Sequence, residues 1–363
     1  MKIYRTIGLM SGTSLDGIDA ALIETDGEEH IERLGFLTVP YDDALRARIR
    51  SVLNLPRDRL EEAKGVERDI TLAHAAVVKQ LMEEQGLTSK EVNLIGFHGQ
   101  TINHMPHEKW TCQLGDGALL AGETGIRVIN DFRAADVAAG GQGAPLAPVY
   151  HKAIAAEREK PLGFLNIGGV ANVTYLGEKG EIIAFDTGPG NALIDDWMLK
   201  HTGQKYDAEG TYAASGEVND DVLEKLAEHA FFSARPPKSL DRNAFGIEAC
   251  EGLSAEDGAA TLSAFTVLGV MRAHRFFPVK PREWIVSGGG RLNNTLMAAL
   301  SDWLETKITP VEELGLNGDA IEAEAFAYMA VRGLCGMPIS FPTTTGAPEP
   351  MTGGKLNLIP FAA

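Results

Sequence analysis

Basic charge is scarce in this 363-residue sequence: 33 Lys and Arg stand against 50 Asp and Glu, a formal net charge of −17. A nucleic-acid partner needs a basic face to neutralise phosphates, so none is expected. Cysteine is scarcer still. Cys112, Cys250 and Cys335 lie far apart and form no CxxC pair, which leaves neither a disulfide framework nor a structural zinc site and points to a reducing cytoplasm. No apolar run approaches the roughly 18 residues of a membrane helix, and the opening MKIYRTIGLM lacks the apolar core of a signal peptide. No membrane partner is expected either. With 44% hydrophobic and 23% charged residues, the composition is that of a globular chain, and the length suits two domains better than one.

Glycine, by contrast, is plentiful, at 40 residues, and it is clustered. Clustered glycines mark places where backbone turns tightly or closes on a ligand. The first cluster separates strands predicted at 7–10 and 18–24, so it is the loop of a hairpin, and a third strand at 34–40 completes a meander. Apolar spacing predicts helices within 42–85. A strand at 93–97, a loop at 98–109, a helix at 116–122 and a strand at 127–129 follow. The second half repeats the grammar: strand 163–167, glycine turn 168–171, strand 172–176 and strand 182–185. Helices are predicted at 219–231, 254–276 and 319–334, with Ser254 and Asp319 as N-caps, and a buried strand at 284–286. The tail, 341–363, reads as loop. The echo between 7–22 and 164–176 predicts two similar α/β halves facing one another across a cleft.

Five constellations carry chemistry. The first hairpin loop, Gly12, Thr13, Ser14, Leu15, Asp16, Gly17, Ile18 and Asp19, offers backbone amides and hydroxyls to phosphate oxygens. Asp16 and Asp19 suit Mg2+, held through water because that ion dehydrates reluctantly. It is no Walker loop, since no Gly-Lys-Ser/Thr follows. Gly168 and Gly169 in the second hairpin would approach a terminal phosphate from the other side. A third run, Gly288, Gly289 and Gly290, follows a buried strand and suits the flat face of an adenosine. Asp186 ends a buried strand before the rigid Thr187-Gly-Pro-Gly190 turn, a setting for a carboxylate that must hold its position; Asn191 is the expected cap of the next helix. Finally, His98, Gln100, Asn130 and Arg133 follow strands and would orient a polyhydroxylated, acidic sugar. A glycine run at 140–143 reads as a hinge-like segment. His98, His104 and His107 lack an acidic or thiolate partner at ligand spacing, so they are not read as a metal site.

The strings Gly8-Leu-Met-Ser-Gly-Thr-Ser-Leu-Asp-Gly-Ile-Asp19, Gly96-Phe-His-Gly-Gln-Thr101, Asn130-Asp-Phe-Arg133, Gly140-Gly-Gln-Gly-Ala-Pro-Leu146, Asn166-Ile-Gly-Gly169 and Asp186-Thr-Gly-Pro-Gly-Asn191 together resemble the anhydro-N-acetylmuramic acid kinases. The likeness continues through Ser287-Gly-Gly-Gly290 and Thr343-Thr-Thr-Gly346. It implies the sugar-kinase, heat-shock and actin superfold, a duplicated ribonuclease H-like α/β unit with an interdomain cleft. One lobe is expected at 1–139 with 345–363, the other at 140–344. The resemblance also implies ATP and Mg2+, a homodimer, and a place in recycling the amino sugars of peptidoglycan. In the reaction it implies, Asp186 activates water for attack on carbon 1 of a 1,6-anhydro sugar, and the freed oxygen 6 takes the phosphoryl group. Two rivals share much of this pattern: a conventional hexose or polyol kinase of the same superfold, and an actin-like assembly or regulatory protein.

Overall fold

The computed structural model describes residues 2–360. They form two compact units, Met1–Glu157 with Asp319–Ala363, and Arg158–Gly318.

The first unit is built on one mixed sheet. Strands β1 (Tyr4–Ser11), β2 (Gly17–Thr25) and β3 (Ile31–Pro40) form an antiparallel meander. Strand β4 (Leu94–Met105) then pairs parallel to β1, and β6 (Val128–Asn130) parallel to β4. β5 (Trp110–Leu114) folds back on β4, and the last strand, β12 (Lys355–Asn357), closes the edge against β6. In the second unit β7 (Leu162–Ile167), β8 (Val170–Leu176) and β9 (Ile182–Pro189) repeat the meander. β10 (Glu283–Ser287) lies parallel to β7, and β11 (Lys307–Pro310) parallel to β10. The orders β3-β2-β1-β4-β6 and β9-β8-β7-β10-β11 therefore match strand for strand. The echo between the two hairpins is a true duplication of topology.

Helices complete each layer. Lys64–Glu84 buries Val66, Ile70, Val77 and Leu81 against the first sheet's core, at the helical spacing read from the sequence. Ala255–Ala273 in the second unit is apolar nearly all round. Val267 and Val270 face the sheet, and Leu262 and Phe265 face a helical cluster around Trp197. Ser254 caps it as expected, accepting from the Asp257 amide at 3.0 Å.

Several expectations are corrected. Residues 98–109 are not a loop: β4 continues to Met105 and returns as β5, with Gln100 and Ile102 buried on alternate positions. Asp319 does not cap the last helix, Ile321–Leu334, whose N-cap is Ala320 without a side-chain bond. Asn191 precedes its helix without capping it, because its amide donates to the Ile167 carbonyl at 3.0 Å. The unit boundary also differs from the division expected at 140 and 344. Helix Ile321–Leu334 packs on β1, β2 and β4, and the Gln142 amide donates to the Thr345 carbonyl at 2.6 Å. Both flanking segments thus belong to the first unit. The cause is steric: a Cβ on Gly8 would lie 1.9 Å from the Ala323 carbonyl oxygen, and one on Gly96 2.1 Å from that of Phe326. Only bare backbone on β1 and β4 lets the helix sit so close.

Candidate functional site

In the second unit three glycine segments converge beyond the ends of β7, β9 and β10. The Gly168 and Gly169 carbonyls accept from the amides of Asn191 at 2.7 Å and Gly190 at 2.9 Å. The β7–β8 loop and the end of β9 are therefore one body, and the turn expected at 187–190 is corrected: β9 continues to Pro189, paired with Val170. Gly288 takes a left-handed φ of 76°, and a Cβ there would lie 2.3 Å from the Asn166 side-chain oxygen. Gly290 presses on the Ile167 side chain. Arg291, itself buried, holds this third loop by donating to the Gly288 carbonyl at 3.0 Å and to Glu312 at 2.7 Å.

These glycines separate into two kinds. Gly288 and Gly290 are required by the fold. Gly168, Gly169 and Gly289 are not: a Cβ on each would meet its nearest neighbour at 3.6, 3.6 and 3.5 Å, an ordinary contact. Gly12 in the first unit behaves alike, at 3.6 Å, whereas Gly17 is pinned against the Val39 carbonyl. Four loop glycines are thus bare without a steric demand from the protein itself, leaving surfaces that a phosphate or nucleoside could approach.

Asp186 lies on β9, the edge strand of the second sheet. Its amide donates to the Lys238 carbonyl at 3.0 Å, and its Oδ2 accepts from the Leu240 amide at 2.7 Å. Burial pushes its carboxyl up to about 7, opposed by the Leu240 hydrogen bond and the Lys238 charge. A carboxylate poised near neutrality is what a general base requires.

In the first unit the loop between β1 and β2 exposes Thr13, Ser14 and Asp16. Leu15 and Ile18 instead point into the core, where they are nearly inaccessible. Asp19 accepts from the Thr38 hydroxyl at 2.7 Å; burial raises its pKa, and the neighbouring Asp319 and Asp16 charges raise it further. This is an oxygen-rich, anionic locus. Among the described residues the only trio of metal-ligating atoms within 4.8 Å is elsewhere, at Glu24, His30 and Glu32, and Arg5 already pairs with Glu24 at 2.7 Å.

The four residues expected to orient a sugar are placed differently. Gln100 is fully buried; its Oε1 accepts from Ser11 Oγ at 2.6 Å and its Nε2 donates to the Gly12 carbonyl at 3.1 Å. Asn130 donates to the Gly115 carbonyl at 3.1 Å and accepts from Asn357 at 2.8 Å. His98, only 4% exposed, accepts from Arg133 Nε at 3.1 Å and packs against Phe326 with the rings tilted by 44°. Burial and the Arg133 charge hold its imidazole well below its usual pKa, so it stays neutral. Of the other three, only His98 bonds Arg133. Arg133 Nη1 donates to the Gly143 carbonyl at 2.7 Å, and Gly143 in turn donates to Asp136 at 2.6 Å. Asp136 also receives the hydroxyls of Ser340 and Thr345. Residues 140–143 are therefore clamped rather than hinge-like.

Sequence reasoning missed Lys238, Leu240, Tyr41 and Asp136. The first two sit in an irregular segment whose return to β9 has no local signature. Tyr41 bonds Ser11 at 2.8 Å, and it follows the third strand with only its aromatic character to mark it. Asp136 had one available sign: a carboxylate placed a few residues before a glycine run.

Two mixed sheets of equal strand order, each opening on a glycine-looped hairpin, define the duplicated α/β class of sugar kinases and actin. The sequence profile of the family described as anhydro-N-acetylmuramic acid kinase matches residues 4–358. A protein of that name from Paramagnetospirillum magneticum is 54% identical over 96% of this chain and 98% of its own. Another, from Rhizorhabdus wittichii, is 56% identical over 96% and 97%. Among solved structures, the activator of 2-hydroxyisocaproyl-CoA dehydratase from Clostridium difficile superposes with a TM-score of 0.48 at 13% identity, covering 92% of this chain and 96% of that one. The chain belongs to the anhydro-N-acetylmuramic acid kinase family.

Proposed function

We propose that this kinase uses ATP and Mg2+ to open 1,6-anhydro-N-acetylmuramic acid with water and to phosphorylate it, giving N-acetylmuramic acid 6-phosphate. Family membership supports the substrate, and the observation that carries the mechanism is the half-buried carboxyl of Asp186, held by the Leu240 amide and pushed up to about 7. Water attacks carbon 1 and gives its proton to Asp186. The bond from carbon 1 to oxygen 6 breaks, and oxygen 6 takes the γ-phosphoryl group as ADP departs. The anhydro bridge leaves no free hydroxyl at carbon 6, so the base acts on water rather than on the acceptor.

The bare glycines 12, 168 and 169 would let backbone amides close on the phosphates, and Gly289 would lie against the adenosine. Asp16 and Asp19 offer hard oxygen ligands, the donor set Mg2+ takes through water, and the ion would neutralise phosphate charge there. Arg133 would meet the sugar's carboxylate directly. His98 Nε2 and the side-chain amides of Gln100 and Asn130 are engaged by the protein, and these residues would act by positioning. The reading includes a cytoplasmic homodimer in peptidoglycan sugar recycling.

Incubating the protein with the anhydro sugar and ATP, with glucose and polyols in parallel, tests the assignment by mass spectrometry. A product heavier by one phosphate and one water is expected from the anhydro sugar alone. Preferential phosphorylation of an ordinary hexose would favour the conventional kinase, and ATP-dependent pelleting without turnover an assembly protein.

A further inference from the structure

β9 is an edge strand, and the chain returns to its exposed edge beside Asp186, some fifty residues later in sequence. Two backbone groups of this strap are committed to Asp186: the Lys238 carbonyl accepts from its amide at 3.0 Å, and the Leu240 amide donates to its carboxylate at 2.7 Å. Between them the Lys238 side chain turns inward through an aromatic cage. Its Nζ lies 4.1 Å from the Phe231 ring centroid, 5.3 Å from that of Phe276 and 5.8 Å from that of Phe185, the neighbour of Asp186. Its hydrogen-bond acceptor is the Phe231 carbonyl at 2.9 Å.

Among the described residues no carboxylate lies at ion-pair distance from this ammonium. The charges that face it are Asp186 on β9 and Arg275 in the short turn after helix Ala255–Ala273. Half-burying an ammonium without an ion-pair partner costs stability, and three π faces recover only part of it. A cation kept there has one anion to act on.

We propose that Lys238 is a positioning residue for Asp186: its caged ammonium favours the anionic form of the base while the Leu240 amide fixes the carboxylate's direction. The proposal rests on the reading of Asp186 as the base. The electrostatic relation is mutual, since Asp186 favours the charged form of Lys238 as Lys238 favours that of Asp186. Lys238→Met fills the cage with an apolar chain of similar length but removes the charge. Lys238→Arg keeps the charge, and Lys238→Gln is a second neutral form should the methionine variant fold poorly.

The test is the pH profile of kcat/KM in the full chain with anhydro sugar and ATP. Removing the cation raises the pKa of the base, so the acid limb should move to higher pH by about one unit in the neutral variants. In Lys238→Arg it should stay where the wild type has it. A limb that does not move in folded neutral variants, or a uniform loss of rate at every pH, would overturn the proposal, because a packing role alone lowers the plateau without shifting the limb. Asp186→Asn, run alongside, separates the two readings. If it keeps activity and the acid limb, the assignment of Asp186 fails; if it loses both while the lysine variants leave the limb in place, only the role of Lys238 fails.

Discussion

The side chain of Gln100 donates to the carbonyl of Gly12 across 3.1 Å, tying the far part of β4 to the first glycine loop. The same side chain accepts from Ser11, which bonds Tyr41, so a buried chain of polar groups fixes the loop from behind. Gln100 therefore supports the first glycine loop. Gln100→Leu keeps much of the volume but leaves buried partners unpaired. It should raise the KM for ATP by about tenfold with a smaller effect on the KM for sugar. Steady-state kinetics with each substrate varied in turn will show which changes.

The two kinds of glycine in the third loop predict opposite outcomes for the same substitution. Gly289→Val has room and no left-handed backbone, so it should fold normally and bind ATP about tenfold more weakly. Gly288→Val faces both a left-handed φ and the Asn166 side chain, and it should lower thermal stability markedly. Calorimetric ATP titration and thermal melts of both variants check this. Unchanged ATP binding in folded Gly289→Val would remove the loop from the nucleotide site.

Asp186 also links activity to stability through pH. Its folded pKa is raised from 3.8 to about 7. The native state therefore holds its proton more tightly than the unfolded chain. The resulting stabilisation is fully present below the unfolded value and is lost as pH rises through about 7. Above that pH the ionised carboxylate is a burden on the fold. Asp186→Asn keeps an oxygen for the Leu240 amide, so it should melt higher than wild type at alkaline pH and gain less at acidic pH. In the wild type, kcat/KM should fall as pH drops below about 7, where the base is protonated. A melting difference independent of pH would contradict the shifted carboxyl.

Much of this was legible in the sequence because it is local. Each hairpin announces itself by two alternating apolar runs around a glycine loop, and the duplication follows from comparing them. Asp186 was legible as a strand carboxylate, but not its place within the strand: β9 runs on through Thr187 and Gly188 to Pro189, because the β8 pairing continues to Val170. What could not be read is where side chains spend their hydrogen bonds. His98, Gln100 and Asn130 look like sugar ligands because hydrogen-bonding groups after strands usually face a ligand. Their partners, Arg133, Gly12 and Asn357, lie 35, 88 and 227 positions away, and no local pattern encodes such pairings. The unit boundary is not legible for a related reason: the clamp of Asp136 on Ser340 and Thr345 joins segments whose composition reads as flexible. The strap at 238–240 lies in an irregular stretch between helices and becomes meaningful only beside β9.

The account stands or falls on whether water opens the sugar under control of Asp186. In heavy-oxygen water, the wild-type protein with anhydro sugar and ATP should place the label at carbon 1 of the phosphorylated product when it is analysed before anomeric exchange. Oxygen 6 should carry none, and Asp186→Asn should form labelled product at least about a hundredfold more slowly. Unlabelled product, or an Asp186→Asn rate within about tenfold of wild type, would contradict it.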